Sequence, residues 1–347
     1  MTDTLPERSQ IKKELIAFLI LTFAVTYLFE FGVYCIAGPY TQTSANVWNP
    51  TLPMGMLIPA LSAIVCMIWF KSKAVTRETL VVFGFFVLGV AAYILGVVYS
   101  VNALLYIGPL GMLAIIALNV KKEWRKGLVA AKLSFGKNFR YYLIVPLLLL
   151  LVLILSYSLN YGAGFGAPAI EFSPGLFMAI FLPGLAMSFF IGWPAFFGEE
   201  FGWRGYLQDR LFPLFGGYKG VLVLGVIWGL WHSLLIIAGY NYPGQPVLGN
   251  AMMILFTIVM GIIFSYAVLK TGSIWIAVLL HMIVDFTDPL AVSYLSSTTE
   301  PLLSFGTGLF GIVILGVFAL VLLRSKVWTI DPAVLPPGSE GGNAGKS

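Results

Sequence analysis

A chain of 347 residues that is 59% hydrophobic and only 10% charged, with a mean hydropathy of +0.93, does not describe an ordinary soluble domain. Its net charge of +5 comes without any RNA- or DNA-binding motif, so the basic excess is read as membrane topology and contact with anionic lipid, with no nucleic-acid partner.

In chain order, apolar stretches near the ~20 residues needed to cross a bilayer as a helix fall at 15–37, 52–70, 79–99, 102–120, 139–158, 175–198, 219–239, 248–269, 273–292 and 303–323. The expected fold is therefore an all-α polytopic integral membrane protein of about ten transmembrane helices. Residues 1–120 form its N-terminal helices, 139–292 a helical-bundle core and 293–325 a last helix. Between the first two groups, "KKEWRKGLVAAKLSFGKNFRYY" alternates basic and apolar residues and predicts an amphipathic cytoplasmic helix over 121–138. The Pro- and Gly-rich tail 326–347 predicts disorder. The first apolar run is long and lacks a small-residue cleavage pattern, so it is expected to remain as a span. Cys35 and Cys66 are read as packed, reduced thiols.

Basic residues test the orientation, because cytoplasmic loops carry the excess of Lys and Arg. With the N-terminus inside, all 20 of them face the cytoplasm, from Arg8 to Lys346, while the opposite loops 37–51, 160–173, 239–247 and 293–301 hold none. Both termini are expected to be cytoplasmic, in the cell membrane if the source is prokaryotic.

Few ionisable residues fall inside the spans: Glu30, Glu199, Glu200, Arg204, His232, His281 and Asp285. Charge at bilayer mid-depth costs roughly 2.5 to 3.5 kcal/mol per group on insertion scales, so such residues mark function. His232 and His281 are the only histidines, and both sit in the cytoplasmic half of their spans or near its middle. Helix spacing puts Arg204 over Glu200 as an ion pair, leaves Glu199 unpaired, and sets Asp285 on the His281 face and Trp228 on the His232 face. Glu30 reads as an isolated packing or interfacial residue.

One carboxylate, two imidazoles and a further carboxyl group in a half-buried cavity suit the activation of water, with the carboxylate as base and the other groups polarising a carbonyl or holding a metal. Amide hydrolysis fits this equipment. A proton or ion pathway through the same residues, and a non-catalytic immunity or scaffold role, stay open beside it.

At these residues the chain resembles a known family. "EEFGWR" (Glu199, Glu200, Arg204), "WGLWH" (Trp228 to His232) and "HMIVD" (His281 to Asp285) are similar to the three motifs of the type II CAAX prenyl proteases, part of the wider CPBP or Abi group of intramembrane proteases. The resemblance implies that Glu199 activates the attacking water with help from His232. It implies that His281 and Asp285 stabilise an oxyanion or complete a divalent metal site, and that Glu200, Arg204 and Trp228 support them. The prenyl-protein branch typically ends its third motif with Asn, and Trp228 stands where Phe is commoner. An ionised Asp285 favours a cation, so the expected metal is zinc, held by Glu199, His232, His281 and Asp285. The implied partners are the bilayer and a membrane-associated, lipid-modified peptide or protein.

Overall fold

The computed structural model describes residues 8–164, 174–294, 300–303 and 306–329. Its helices are α1 (Arg8–Ala37), α2 (Ala45–Trp69), α3 (Arg77–Tyr99), α4 (Leu104–Val120), α5 (Lys122–Leu128), α6 (Tyr141–Gly162), α7 (Pro174–Met187), α8 (Trp193–Glu200), α9 (Gln208–Trp231), α10 (Ser233–Ala238), α11 (Pro246–Thr271), α12 (Trp275–Tyr294) and α13 (Leu309–Leu323). Two π-helical turns, Ser188–Gly192 and Phe201–Leu207, flank α8. Described strands are absent, so the all-α expectation holds among the described residues.

Apolar helix occupies each of the ten predicted intervals, but ten is only an approximate count of spans. Six helical runs are long and apolar enough to cross a membrane, or seven if the pair α4 and α5, bent by 109°, is one span. The difference has two sources. The run Phe177–Ala238 counts once although it holds two predicted intervals, and the apolar parts of α12 and α13 are shorter, at Trp275–Thr287 and Leu309–Leu323. Within the long run the chain folds back at Gly216, whose φ of 77° and ψ of 169° are not helical. A Cβ on Gly220 would lie 2.6 Å from the Phe212 ring, whereas eight residues of straight helix would separate these positions by ~12 Å. The protein is an integral membrane protein.

Lipid tails are as apolar as leucine, so helices in a bilayer associate through close packing, which small residues permit. Gly198 and Gly202 supply this where α8 and the following π-turn meet α2. A Cβ would stand 2.3 Å from the Met56 carbonyl oxygen at the first and 2.4 Å from Pro59 Cβ at the second. Gly225 and Gly229 do the same for α9 against α11, where a Cβ would come within 2.5 Å of Ile258 Cα and 2.6 Å of Ile254 Cα. The first contact seats Glu199 and Glu200, and the second seats Trp228 and His232.

Two expectations are corrected. The amphipathic helix predicted over 121–138 is only the seven-residue α5, after which Lys132, Gly136 and Asn138 take positive φ and the chain turns inward. Its folded path is fixed by Asn119, whose Oδ1 accepts from Phe135 N at 2.6 Å, and by the Trp275 indole, which donates to the Leu133 carbonyl at 2.8 Å. The tail is ordered at its start: Lys326–Trp328 form a 3-10 turn, and the Trp328 ring is buried beside Phe212 and Tyr218 because its indole donates to the Leu322 carbonyl at 2.9 Å and its ring finds an aromatic pocket. The rest of the predicted tail, 330–347, lies outside the described residues. Both cysteines are free, Cys66 buried and Cys35 exposed on α1, so only Cys66 is packed.

Candidate active site

The π-turn that follows α8 begins directly after Glu200, and such widened turns interrupt helices often at functional sites. Here it carries Trp203 and Arg204 back onto the two glutamates. Glu199 is 3% exposed, and its Oε2 accepts from the Trp228 indole at 2.8 Å and from the Trp203 indole at 3.3 Å. The carboxylate expected to be unpaired therefore has two partners. The reason is spacing: Trp203 lies one turn after Glu199, and the α9–α11 glycine seam sets Trp228 opposite.

Glu200 behaves as the spacing predicts, and more. Its Oε1 accepts from Arg204 Nη1 at 2.9 Å and also from His281 Nδ1 at 2.9 Å, which links α8 to α12. A carboxylate can only accept, so Nδ1 of His281 carries its proton and Nε2 faces Asp285 Oδ1, 3.6 Å away. That separation is too long for a hydrogen bond and leaves Nε2 available. The Arg204 guanidinium is fully buried, 4.2 Å above the Trp228 ring and 5.0 Å from that of Phe264, where a planar cation is stabilised by the ring faces.

His232 ends α9, and its Nδ1 lies 2.9 Å from the Trp228 carbonyl oxygen. The carbonyl must accept, so Nδ1 donates and the neutral ring presents Nε2 as an acceptor. Trp228 thus meets four of the functional side chains: it donates to Glu199, underlies Arg204, and stands 6.0 Å from the His232 ring and 5.8 Å from the His281 ring.

A cavity of about 220 Å³ is lined by Glu199, Trp228, His232, His281 and Asp285. Glu200 and Arg204 stand behind its wall. The structure therefore gathers all four residues proposed for chemistry from the sequence and withdraws the ion pair from them. Sequence reasoning missed Trp203, although its place four residues after Glu199 was visible, and Phe264, which shows no signal in an apolar helix. It also read Glu30 as isolated, whereas Glu30 is 3% exposed and lines the same cavity.

The zinc expectation finds no ready ligand set. Zinc takes three or four N, O or S donors at about 2.0–2.3 Å. Among the described residues no group of three His, Cys, Asp or Glu converges on one point. Glu199 Oε2 is committed to two indoles and His281 Nδ1 to Glu200.

Residues 178–287 match the family model described as type II CAAX prenyl endopeptidase Rce1-like. This segment is similar to that family. A curated relative, CAAX prenyl protease 2 of Methanococcus maripaludis, is 31% identical over 155 residues, which cover 43% of this chain and 54% of that protein. The chain thus spans about half the length of the curated relative it matches. The Rce1-like segment runs from α7 into α12 and contains Glu199, Glu200, Arg204, Trp228, His232, His281 and Asp285. Glu30 lies outside it.

Proposed function

We propose that the protein is an intramembrane endopeptidase, cleaving a membrane-associated, lipid-modified substrate with a water molecule that Glu199 activates. The observation that carries this reading is the sharing of one cavity by Glu199, His232 and His281, three side chains from three helical segments. The likeness to a protein called a prenyl protease supports the substrate class.

In this reading the two indoles fix Oε2 of Glu199, which leaves Oε1 to take a proton from water as the oxygen attacks the scissile carbonyl carbon. His232 Nε2 accepts a hydrogen bond from the same water and holds it for attack. His281, as an imidazolium with a proton on each ring nitrogen, donates from Nε2 to the oxygen on which negative charge develops, while its Nδ1–H stays on Glu200. Collapse of the tetrahedral intermediate breaks the C–N bond, and the proton held by Glu199 passes to the leaving amine. Asp285, with a side chain 44% exposed, balances the charge on His281 at the cavity mouth.

The test is cleavage of a lipid-anchored reporter peptide by purified protein in vesicles. Wild type cleaves it, and Glu199→Ala and His232→Ala do not. Equal behaviour of all three would overturn the reading.

A further inference from the structure

The same cavity holds a second carboxyl group that this chemistry does not use. Glu30 is 3% exposed, its Oε2 is buried without a hydrogen-bond partner, and no lysine or arginine is among the described residues lining its cavity. Other carboxylates of the helices are answered: Glu14 pairs with Arg210 at 2.9 Å, Glu200 with Arg204 and His281, and Asp209 with Lys132. A buried acid left alone in a nearly apolar setting is costly unless something else meets it.

Its place along the cavity is fixed by α1, which runs beside the end of α9 and α10. Trp231 Nε1 donates to Thr26 Oγ1 at 2.8 Å, Tyr27 OH to the Leu230 carbonyl at 2.6 Å, and Tyr40 N to the Ala238 carbonyl at 2.7 Å. Glu30, one turn after Thr26, therefore stands about one turn past His232 on the side away from Trp228 and Glu199. That is roughly 9 Å of helix axis from the attacking carboxylate at ~1.5 Å per residue, or two to three residues of extended peptide at ~3.3 Å each. Around it the wall is aromatic, with Phe29, Trp48 and Tyr240 lining the cavity. An unanswered carboxyl group enclosed by aromatic faces is the chemistry that recognises a cation.

We propose that Glu30 is a specificity-determining residue that receives a lysine or arginine side chain of the substrate, two or three residues from the cleaved bond. This rests on the endopeptidase reading, and its test separates the two. Wild type and Glu30→Gln are given lipid-anchored peptides in which lysine or norleucine occupies, in turn, each of three positions on either side of the cleaved bond. At one position wild type prefers lysine by about tenfold in kcat/KM, a ratio within reach of one desolvated charge pair, and Glu30→Gln brings the ratio near one. No lysine preference in wild type at any position, or the same preference in Glu30→Gln, overturns the inference. If Glu30→Gln does not fold, the wild-type series still decides against it when flat. Binding of the same peptides to Glu199→Gln, followed by fluorescence polarisation, needs no turnover. Tighter binding of lysine peptides there supports Glu30 even if wild type cleaves nothing, in which case only the hydrolytic reading falls; equal binding overturns the Glu30 inference.

Discussion

The indole of Trp228 donates to Glu199 Oε2 at 2.8 Å while the flat face of the same ring lies 4.2 Å from the Arg204 guanidinium. One side chain therefore orients the proposed base with its edge and screens the buried cation with its face. Trp228→Phe keeps most of the face and removes the donor. A hydrogen bond to a charged group contributes about 1.5–3 kcal/mol. The expected result is a fall in kcat of about 10- to 100-fold with KM little changed, measured on the reporter peptide. Trp203→Phe, which removes the longer 3.3 Å bond, is expected to cost less. A larger loss for Trp203→Phe than for Trp228→Phe would contradict this assignment.

Glu200 and Arg204 are both fully buried and outside the cavity, so their removal tests structure before chemistry. Breaking a buried pair by deleting one partner leaves an uncompensated charge and costs about 3–5 kcal/mol. Arg204→Ala should lower the thermal midpoint in detergent well below that of Glu199→Ala. Arg204→Lys should also destabilise, since an ammonium cannot both stack on Trp228 and Phe264 and reach Glu200. A midpoint unchanged in Arg204→Ala would show that water or lipid headgroups already compensate the pair.

The local parts of this site were legible because they follow helical spacing. Glu200 and Arg204, and His281 and Asp285, are four residues apart and meet as that period requires, and the rarity of charge in apolar spans singled out all four residues proposed for chemistry. What spacing could not show is which segments touch. The bond from Glu200 to His281 spans 81 residues, and that from Trp228 to Glu199 spans 29; each joins helices whose packing the local period does not encode. Glu30 was misjudged for the same reason, as nothing in α1 alone reveals that α10 runs beside it. The segment after α5 was read as amphipathic from its composition, but tertiary partners, Asn119 and Trp275, override that pattern.

The glycine seams make a prediction that does not involve the cavity residues. Gly202→Ala would drive a Cβ to 2.4 Å from Pro59 Cβ, and Gly229→Ala to 2.6 Å from Ile254 Cα; neither neighbour is a flexible side-chain end. Overpacking of this kind costs typically about 1–3 kcal/mol. Both variants should unfold at lower temperature than wild type, and Gly229→Ala should also lose activity by displacing Trp228 and His232. Gly32→Ala, where nothing lies within 4 Å, is the control and should match wild type.

Glu199, His232, His281 and Asp285 share a cavity without forming a three-ligand cluster, and this makes the role of metal measurable. If Glu199 acts as a base held by two indoles, protein dialysed against a strong chelator should retain peptide cleavage, and its bound zinc should fall well below one per chain. Asp285→Asn then becomes informative. An amide cannot serve as an anionic ligand but can donate a hydrogen bond to an oxyanion, so the variant should keep activity within about tenfold of wild type, whereas replacing a metal ligand usually costs far more. Loss of cleavage on chelation, restored by added zinc, together with an inactive Asp285→Asn, would mean that substrate or metal draws these four side chains together, closing the 3.6 Å between His281 Nε2 and Asp285 Oδ1.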